Sequence, residues 1–123
     1  MTEEQNEKIQ WLNRAYHSDK KIDSLRKLKD KNEKYRDAST ENQLRRDNER
    51  IEVELLRIMK YKDEIESAIA TIRDDELEAI MNMRYLCYMP IAEIADQMYY
   101  DRRTIHRKHL QALDKITCPT MSH

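Results

Sequence analysis

The residues best suited to chemical recognition lie in 101–116, where five basic residues stand against two acidic ones. An arginine can donate two hydrogen bonds to O6 and N7 of guanine, and a helix in the major groove presents its N-terminal residues to base edges. The candidate DNA-binding residues are Arg102, Arg103, Thr104, His106, Arg107, Lys108 and Gln111. We expect Arg103, His106 and Arg107 to read bases and the other four to contact the phosphate backbone.

The preceding residues predict a partner helix for this basic segment. A helix over 90–98 would gather four residues on one face: Ile91, Ile94, Ala95 and Met98. Tyr99 and Tyr100 would form a turn, and Asp101 is placed to cap the second helix.

The buried face of helix 101–116 is predicted to hold Ile105, Ala112, Leu113 and Ile116. A small Ala95, followed by Tyr100 and Ile105, has helix-turn-helix spacing, because a small residue lets the helices approach closely.

Other kinds of chemistry have little support in the sequence. A chain without glycine has no Gly-rich phosphate loop, and no nucleophile elbow or His-Glu-x-x-His zinc motif occurs. His106, His109 and Cys118 could be considered as zinc ligands, but a structural site needs four ligands and a fourth is not evident. We therefore expect no catalysis, no cofactor and no metal. Cys87 lies at an apolar helix end and is predicted to be a buried free thiol.

The composition predicts an all-α protein. The 123 residues include no glycine and two prolines, and 38 % of them are charged. Sheets and long loops usually need glycine turns, so helix should dominate. The formal net charge of -1 conceals a segregation, since residues 74–98 hold six acidic residues and one basic residue. Polyanion binding depends on local charge, so the near-neutral total does not count against DNA.

The N-terminal region, 1–73, is predicted to be a helical hairpin or coiled coil. Residues 3–36 have apolar residues at helical spacing and predict one long helix, followed by a polar break at 37–40. Thr40 and Gln43 form a plausible capping box for the next helix. That helix keeps a seven-residue register with two core positions: Leu44, Ile51, Ile58, Ile65 and Ile72 in one, and Asn48, Leu55, Lys62 and Ile69 in the other. The register fits either a hairpin within one chain or a homodimer.

Residues 74–116 are predicted to form a three-helix module. A helix over 74–87 would start at Asp74 and Asp75, and Pro90 is suited to the first turn of the helix over 90–98. The third helix is 101–116. The tail, 117–123, is predicted to be flexible.

The module resembles the helix-turn-helix of region four of bacterial sigma factors. The shared residues are Ile91, Glu93, Ile94, Ala95, Gln97, Met98, Arg102, Ile105, Ala112, Leu113, Lys115 and Ile116. The chain is also similar to small phage regulators of the RinA/ArpU kind. That similarity includes Trp11-Leu12-Asn13-Arg14, Arg84-Tyr85 and His106-Arg107-x-His109. The resemblance implies that the basic residues of helix 101–116 face DNA.

Three positions depart from the pattern of these relatives. Tyr88 stands where the family usually has glycine, and Tyr99 occupies a turn site that often holds Gly, Asn or Asp because the backbone φ there can be positive. Lys108 replaces the usual apolar residue late in the second helix. These changes affect the packing and the turn geometry of the expected fold.

The sequence thus predicts a phage-type transcriptional regulator that activates phage gene expression, binds double-stranded DNA and assists the host RNA polymerase. Two alternatives remain: the DNA-recognition subunit of a phage packaging machine, and a helical adaptor whose basic helix binds an acidic protein. A mass measurement would reveal the ring that packaging requires, and a salt-dependent, sequence-specific DNA complex would exclude the adaptor. No apolar run approaches the ~20 residues that span a membrane, and we expect a cytoplasmic protein.

Overall fold

The computed structural model describes residues 1–34 and 41–118. In these residues it contains helices and no strand, which confirms the predicted all-α fold class. The helices are α1 (Glu3–Leu12), α2 (Arg14–Glu33), α3 (Glu41–Ala70), α4 (Asp75–Tyr85), α5 (Ile91–Met98) and α6 (Arg102–Lys115). None of the helices in the described ranges is long and apolar enough to cross a membrane.

The prediction of one uninterrupted helix over 3–36 was wrong, because the helix breaks at Asn13. Asn13 has φ -83° and ψ 2°, which is outside the helical range, although its N–H still donates to the Ile9 carbonyl. The break lets α1 pack against α6 while α2 runs along α3. The predictions that fall outside the described residues concern residues 35–36 of the predicted helix, the polar break at 37–40, the Thr40 capping box and residues 119–123 of the predicted flexible tail.

Helices α2 and α3 form an antiparallel pair. Three cross-helix contacts define it: Arg14 Nη2 lies 2.8 Å from Glu64 Oε2, Lys21 Nζ lies 3.1 Å from Glu54 Oε1, and Asn32 Nδ2 donates to Asp47 Oδ2 at 3.0 Å. The residue number on α3 falls as that on α2 rises, so the two helices run in opposite directions. The apolar seam between them holds Ile22, Leu25, Ile51 and Ile58.

Only one of the two heptad positions of α3 is buried along the whole helix. The first set, Leu44, Ile51, Ile58, Ile65 and Ile72, is at most 8 % exposed. In the second set Ile69 is buried, but Leu55 is 40 % exposed and Asn48 also lies in solvent. A single neighbouring helix covers one stripe of α3, and the second stripe is covered only where α3 reaches the C-terminal helices.

One buried cluster joins the two ends of the chain. It brings together residues from α1, the start of α2, the C-terminal part of α3, α4 and α6: Trp11, Leu12, Ala15, Ile65, Ala68, Ile69, Ile72, Leu77, Met81, Tyr85, Ala112, Leu113 and Ile116. Polar contacts add to this link, since Lys8 Nζ donates to the Leu113 carbonyl at 2.8 Å and Gln5 Nε2 donates to Asp114 Oδ1 at 3.0 Å. The C-terminal helices are therefore packed against the N-terminal helix.

The loop between α4 and α5 corrects the prediction for Cys87. Helix α4 ends at Tyr85 rather than at residue 87, and the N–H groups of Leu86 and Cys87 both donate to the Asn82 carbonyl. In this turn Leu86 and Tyr88 pack against the main cluster, whereas Cys87 is exposed. Cys87 was predicted to be buried because the helix was expected to continue through it. The earlier end of α4 rotates its side chain into solvent.

Three helices are followed by residues with positive φ. Arg73, Tyr88 and Tyr99 have φ of 57°, 59° and 58°, and the chain has no glycine to take such positions. The left-handed conformation costs an ordinary L-residue roughly 1–2 kcal/mol. Tyr99 ends α5 in this conformation and is 95 % exposed, so no packing of its side chain offsets that cost.

We expect Tyr99→Gly to stabilise the protein by about 1 kcal/mol, because glycine adopts positive φ without the steric cost of a Cβ atom. Urea unfolding measures the change. Gln97→Gly, at an exposed position inside α5, is the matched control and should destabilise by about 1 kcal/mol. Equal destabilisation by both glycines would show that Tyr99 is not held in the left-handed conformation in solution.

Candidate nucleic-acid interface

Helices α5 and α6 are joined through a third buried cluster. Ile80 of α4, Ile94 and Ala95 of α5, and Ile105 of α6 are each at most 2 % exposed and contact one another. The predicted proximity of Ala95 and Ile105 is thus confirmed. The Tyr100 N–H donates to the Ala95 carbonyl at 3.0 Å, which closes the turn between the two helices. The predicted buried residues of α6, Ile105, Ala112, Leu113 and Ile116, are all buried.

Asp101 caps the N-terminus of α6, as predicted. Its Oδ1 accepts hydrogen bonds from the Thr104 backbone N–H at 2.9 Å and from the Thr104 hydroxyl at 3.0 Å. These two bonds lower the pKa of Asp101 below its ordinary value. Thr104 is therefore used inside the protein, where its hydroxyl holds the cap.

The first turn of α6 carries arginines and no acidic residue. A helix N-terminus has a partial positive charge, so cations there are unfavourable by roughly 0.3–1 kcal/mol each. Arg102 and Arg103 both occupy this turn and both are exposed. Their positions are thus poor for helix stability but leave the guanidinium groups open to an anionic partner.

Four exposed basic side chains of the first two turns of α6 line one shallow depression. Arg102, Arg103, His106 and Arg107 form its rim, together with Ile91 of α5 and Leu110 of α6. Gln111 is also exposed, one turn beyond Arg107. Five of the predicted DNA-binding residues are therefore exposed, and four of these border the same surface. We call Arg102, Arg103, His106 and Arg107 the basic face of α6.

Lys108 lies in a different environment from the basic face. Its Nζ pairs with Glu76 of α4 and stands 5.3 Å from the centre of the Tyr100 ring. Glu76 also accepts a hydrogen bond of 2.7 Å from the Tyr100 hydroxyl. The hydrogen bond to Glu76 raises the pKa of Lys108, and the bond from Lys108 lowers the pKa of Glu76. Tyr100 and Lys108 thus attach the turn and α6 to α4 through Glu76.

His109 is a buried residue that the sequence reasoning did not identify. His109 lies on the side of α6 that faces α4, and it is 6 % exposed. Its Nε2 atom is 2.6 Å from the Tyr85 hydroxyl oxygen. Burial, and then the nearby charge of Arg84, lower the pKa of His109 to about 4. The imidazole is therefore uncharged at neutral pH. Its position, four residues after Ile105 and four before Leu113, is the signal that could have placed it on the inner face.

The residues considered as zinc ligands do not converge. His109 faces the interior and bonds Tyr85, whereas His106 is exposed on the basic face. Cys118 is half-buried against the main cluster. Within residues 1–34 and 41–118, no group of three or more His, Cys, Asp or Glu side chains is arranged to hold a metal ion.

The chain belongs to the family described as "Protein of unknown function (DUF1492)", whose model matches residues 17–117. The matched region includes all of α2 after its first three residues, all of α3, and the complete three-helix unit, α4 to α6. No curated protein and no solved structure matches the chain. The family description names no activity, so function has to be argued from the geometry of the site.

We expect the buried His109 to make stability pH-dependent. The folded protein holds the pKa of His109 at about 4, against 6.5 for an ordinary histidine, so the unfolded chain binds the extra proton first. The contribution is complete above pH 6.5 and is lost as the pH falls from 6.5 to 4, by up to about 3 kcal/mol. Urea unfolding at several pH values in this range gives the free energy of unfolding of the parent protein and of His109→Gln. The difference between their pH dependences is the contribution of His109.

His106→Gln is the matched control, because His106 is an exposed histidine on the same helix. This variant should keep the pH dependence of the parent protein. If His109→Gln loses stability toward pH 4 as steeply as the parent does, His109 is not a buried neutral histidine in solution.

Proposed function

We propose that this protein is a sequence-specific DNA-binding transcriptional regulator of the phage type, which reads the major groove with α6 and activates phage gene expression. The observation that carries the proposal is the basic face of α6, which is exposed on the second of two helices joined by the short turn at 99–101. The regulatory role and the phage origin rest on the resemblance to sigma region four and to the RinA/ArpU regulators. A regulator of this kind acts in the cytoplasm, beside the host polymerase that we expect it to assist.

The orientation of α6 suits insertion into a groove. Recognition helices contact base edges with their N-terminal residues, and the basic face occupies the first two turns of α6. The opposite side of the helix is buried in the protein through Ile105, His109 and Leu113. A DNA duplex would therefore meet arginine side chains in the first turn, where the N-cap carboxylate of Asp101 is already hydrogen-bonded to Thr104.

The contacts inside the protein refine the assignment of individual residues. Arg103, His106 and Arg107 remain the proposed base-reading residues, with Arg102 and Gln111 as phosphate contacts. Thr104 and Lys108 already bond Asp101 and Glu76, so we assign them to positioning the helix. Lys108 would reach a phosphate only by leaving Glu76.

The experiment begins with selection of bound duplexes from a random DNA pool, followed by affinity measurements at two salt concentrations. We expect Arg103→Ala/Arg107→Ala to weaken binding to the selected sequence by at least ~30-fold, since each arginine–guanine pair contributes about 1–3 kcal/mol. Binding to unrelated DNA should fall less, because that binding depends on overall charge.

Arg26→Ala/Lys27→Ala is the matched control. It removes the same charge from exposed positions of α2 and should leave the preference for the selected sequence unchanged. Equal losses from both double variants would indicate non-specific attraction. If selection enriches no sequence and neither variant changes binding, α6 does not read DNA.

A further inference from the structure

The middle of α3 exposes a group of apolar side chains. Leu55, Leu56 and Met59 are 40 %, 67 % and 65 % exposed, and they fall within two turns of the helix. Successive residues of a helix are rotated by about 100° around its axis, so these three side chains lie on one side of α3. Leu56 lies nearly opposite to Ile58 of the hairpin seam. We call Leu55, Leu56 and Met59 the apolar stripe of α3.

The rest of the described chain leaves the apolar stripe uncovered. None of its three residues belongs to a buried cluster or packs against one. Isolated exposed apolar side chains are common on protein surfaces, but a contiguous group often marks an interaction site. One residue of the stripe, Leu55, is also a core position of the heptad register.

We infer that the apolar stripe is the interface of a homodimer, in which the α3 helices of two copies pack antiparallel about a two-fold axis between Leu55 and Leu56. In this arrangement Leu55 of each copy faces Leu56 of the other. A two-fold axis uses the same surface twice, so one chain supplies the whole interface. The inference stands independently of the proposed function, because none of its residues belongs to α6.

The charges along the same side of α3 favour this arrangement. Arg45 lies ten residues before Leu55, and Glu66 lies ten residues after Leu56, so the two-fold axis brings Arg45 of one copy opposite Glu66 of the other. Asn48 and Asp63 are related in the same way, each seven residues from the nearer leucine. Both Arg45 and Glu66 are exposed.

A parallel, in-register dimer would be opposed by the same charges. It would place Glu52, Asp63 and Glu66 each beside its own copy, and like charges in contact are unfavourable. The pairing of Arg45 with Glu66 therefore favours the antiparallel arrangement, although that arrangement also sets Glu52 opposite Met59 of the other copy, and a second copy of this chain is the occupant of the stripe.

Sedimentation equilibrium of the full chain tests whether the dimer exists. We expect a dimer at micromolar concentration and a monomer for Leu56→Glu/Met59→Glu, with an unchanged helical circular dichroism spectrum. A parent protein that stays monomeric, or a double variant that is still dimeric, would overturn the inference. The variant Arg103→Ala/Arg107→Ala should dimerise normally, so a failure of DNA recognition remains distinguishable from a failure of this interface.

Charge reversal tests the orientation. Arg45→Glu and Glu66→Arg should each raise the dimer dissociation constant about tenfold, because each replaces two attractive contacts across the axis by two repulsive ones. The combined variant should recover most of the lost affinity, since it restores opposite charges. Arg46→Glu, on the adjacent residue but a different side of α3, is the matched control and should have little effect. Additive losses in the combined variant would contradict the antiparallel pairing.

Discussion

The structure depends on the burial of one side of α6. Ile105 joins the cluster between α4 and α5, while Ala112 and Leu113 join the larger cluster formed with α1, α3 and α4. A single helix therefore belongs to two cores at once. With Ile105, Ala112 and Leu113 all fully buried, the rotation of α6 about its own axis is fixed, and so is the direction of its opposite side.

Polar contacts strengthen the same constraint at specific points. The Tyr85–His109 hydrogen bond joins α4 to the middle of α6 inside the core, and the Lys108–Glu76 pair joins the same two helices at the surface. At the far end, Lys8 of α1 bonds the Leu113 carbonyl. Because these contacts hold α6 from α4 and α1, the basic face does not have to contribute to folding. That independence is consistent with arginines at a helix N-terminus, where they are electrostatically unfavourable.

The sequence predicted the elements whose signals are local. The caps at Asp74 and Asp101, the burial of Ile94 and Ala95, and the bounds of α5 and α6 to within one or two residues follow from spacing and side-chain chemistry. Features set by distant contacts were missed or mispredicted. The break at Asn13 separates α1, which packs on α6, from α2, which packs on α3, and Leu55 is exposed because a single neighbouring helix covers α3 there.

The candidate site shows the same division between local and distant effects. Exposure of the four residues of the basic face followed from the period of α6 and from its predicted inner face. The environment of Lys108 did not, because its partner Glu76 lies 32 residues earlier in the chain. The spacing of His109 from Ile105 and Leu113 could have indicated its burial, but not its hydrogen bond to Tyr85, which lies 24 residues earlier on another helix.

Amide chemical-shift mapping during titration with duplex DNA would show whether α6 is the DNA-contacting element. We expect shifts concentrated in residues 99–111, with small changes along α2. Shifts confined to α2 and α3, with α6 unaffected, would contradict this expectation and assign the basic face another role.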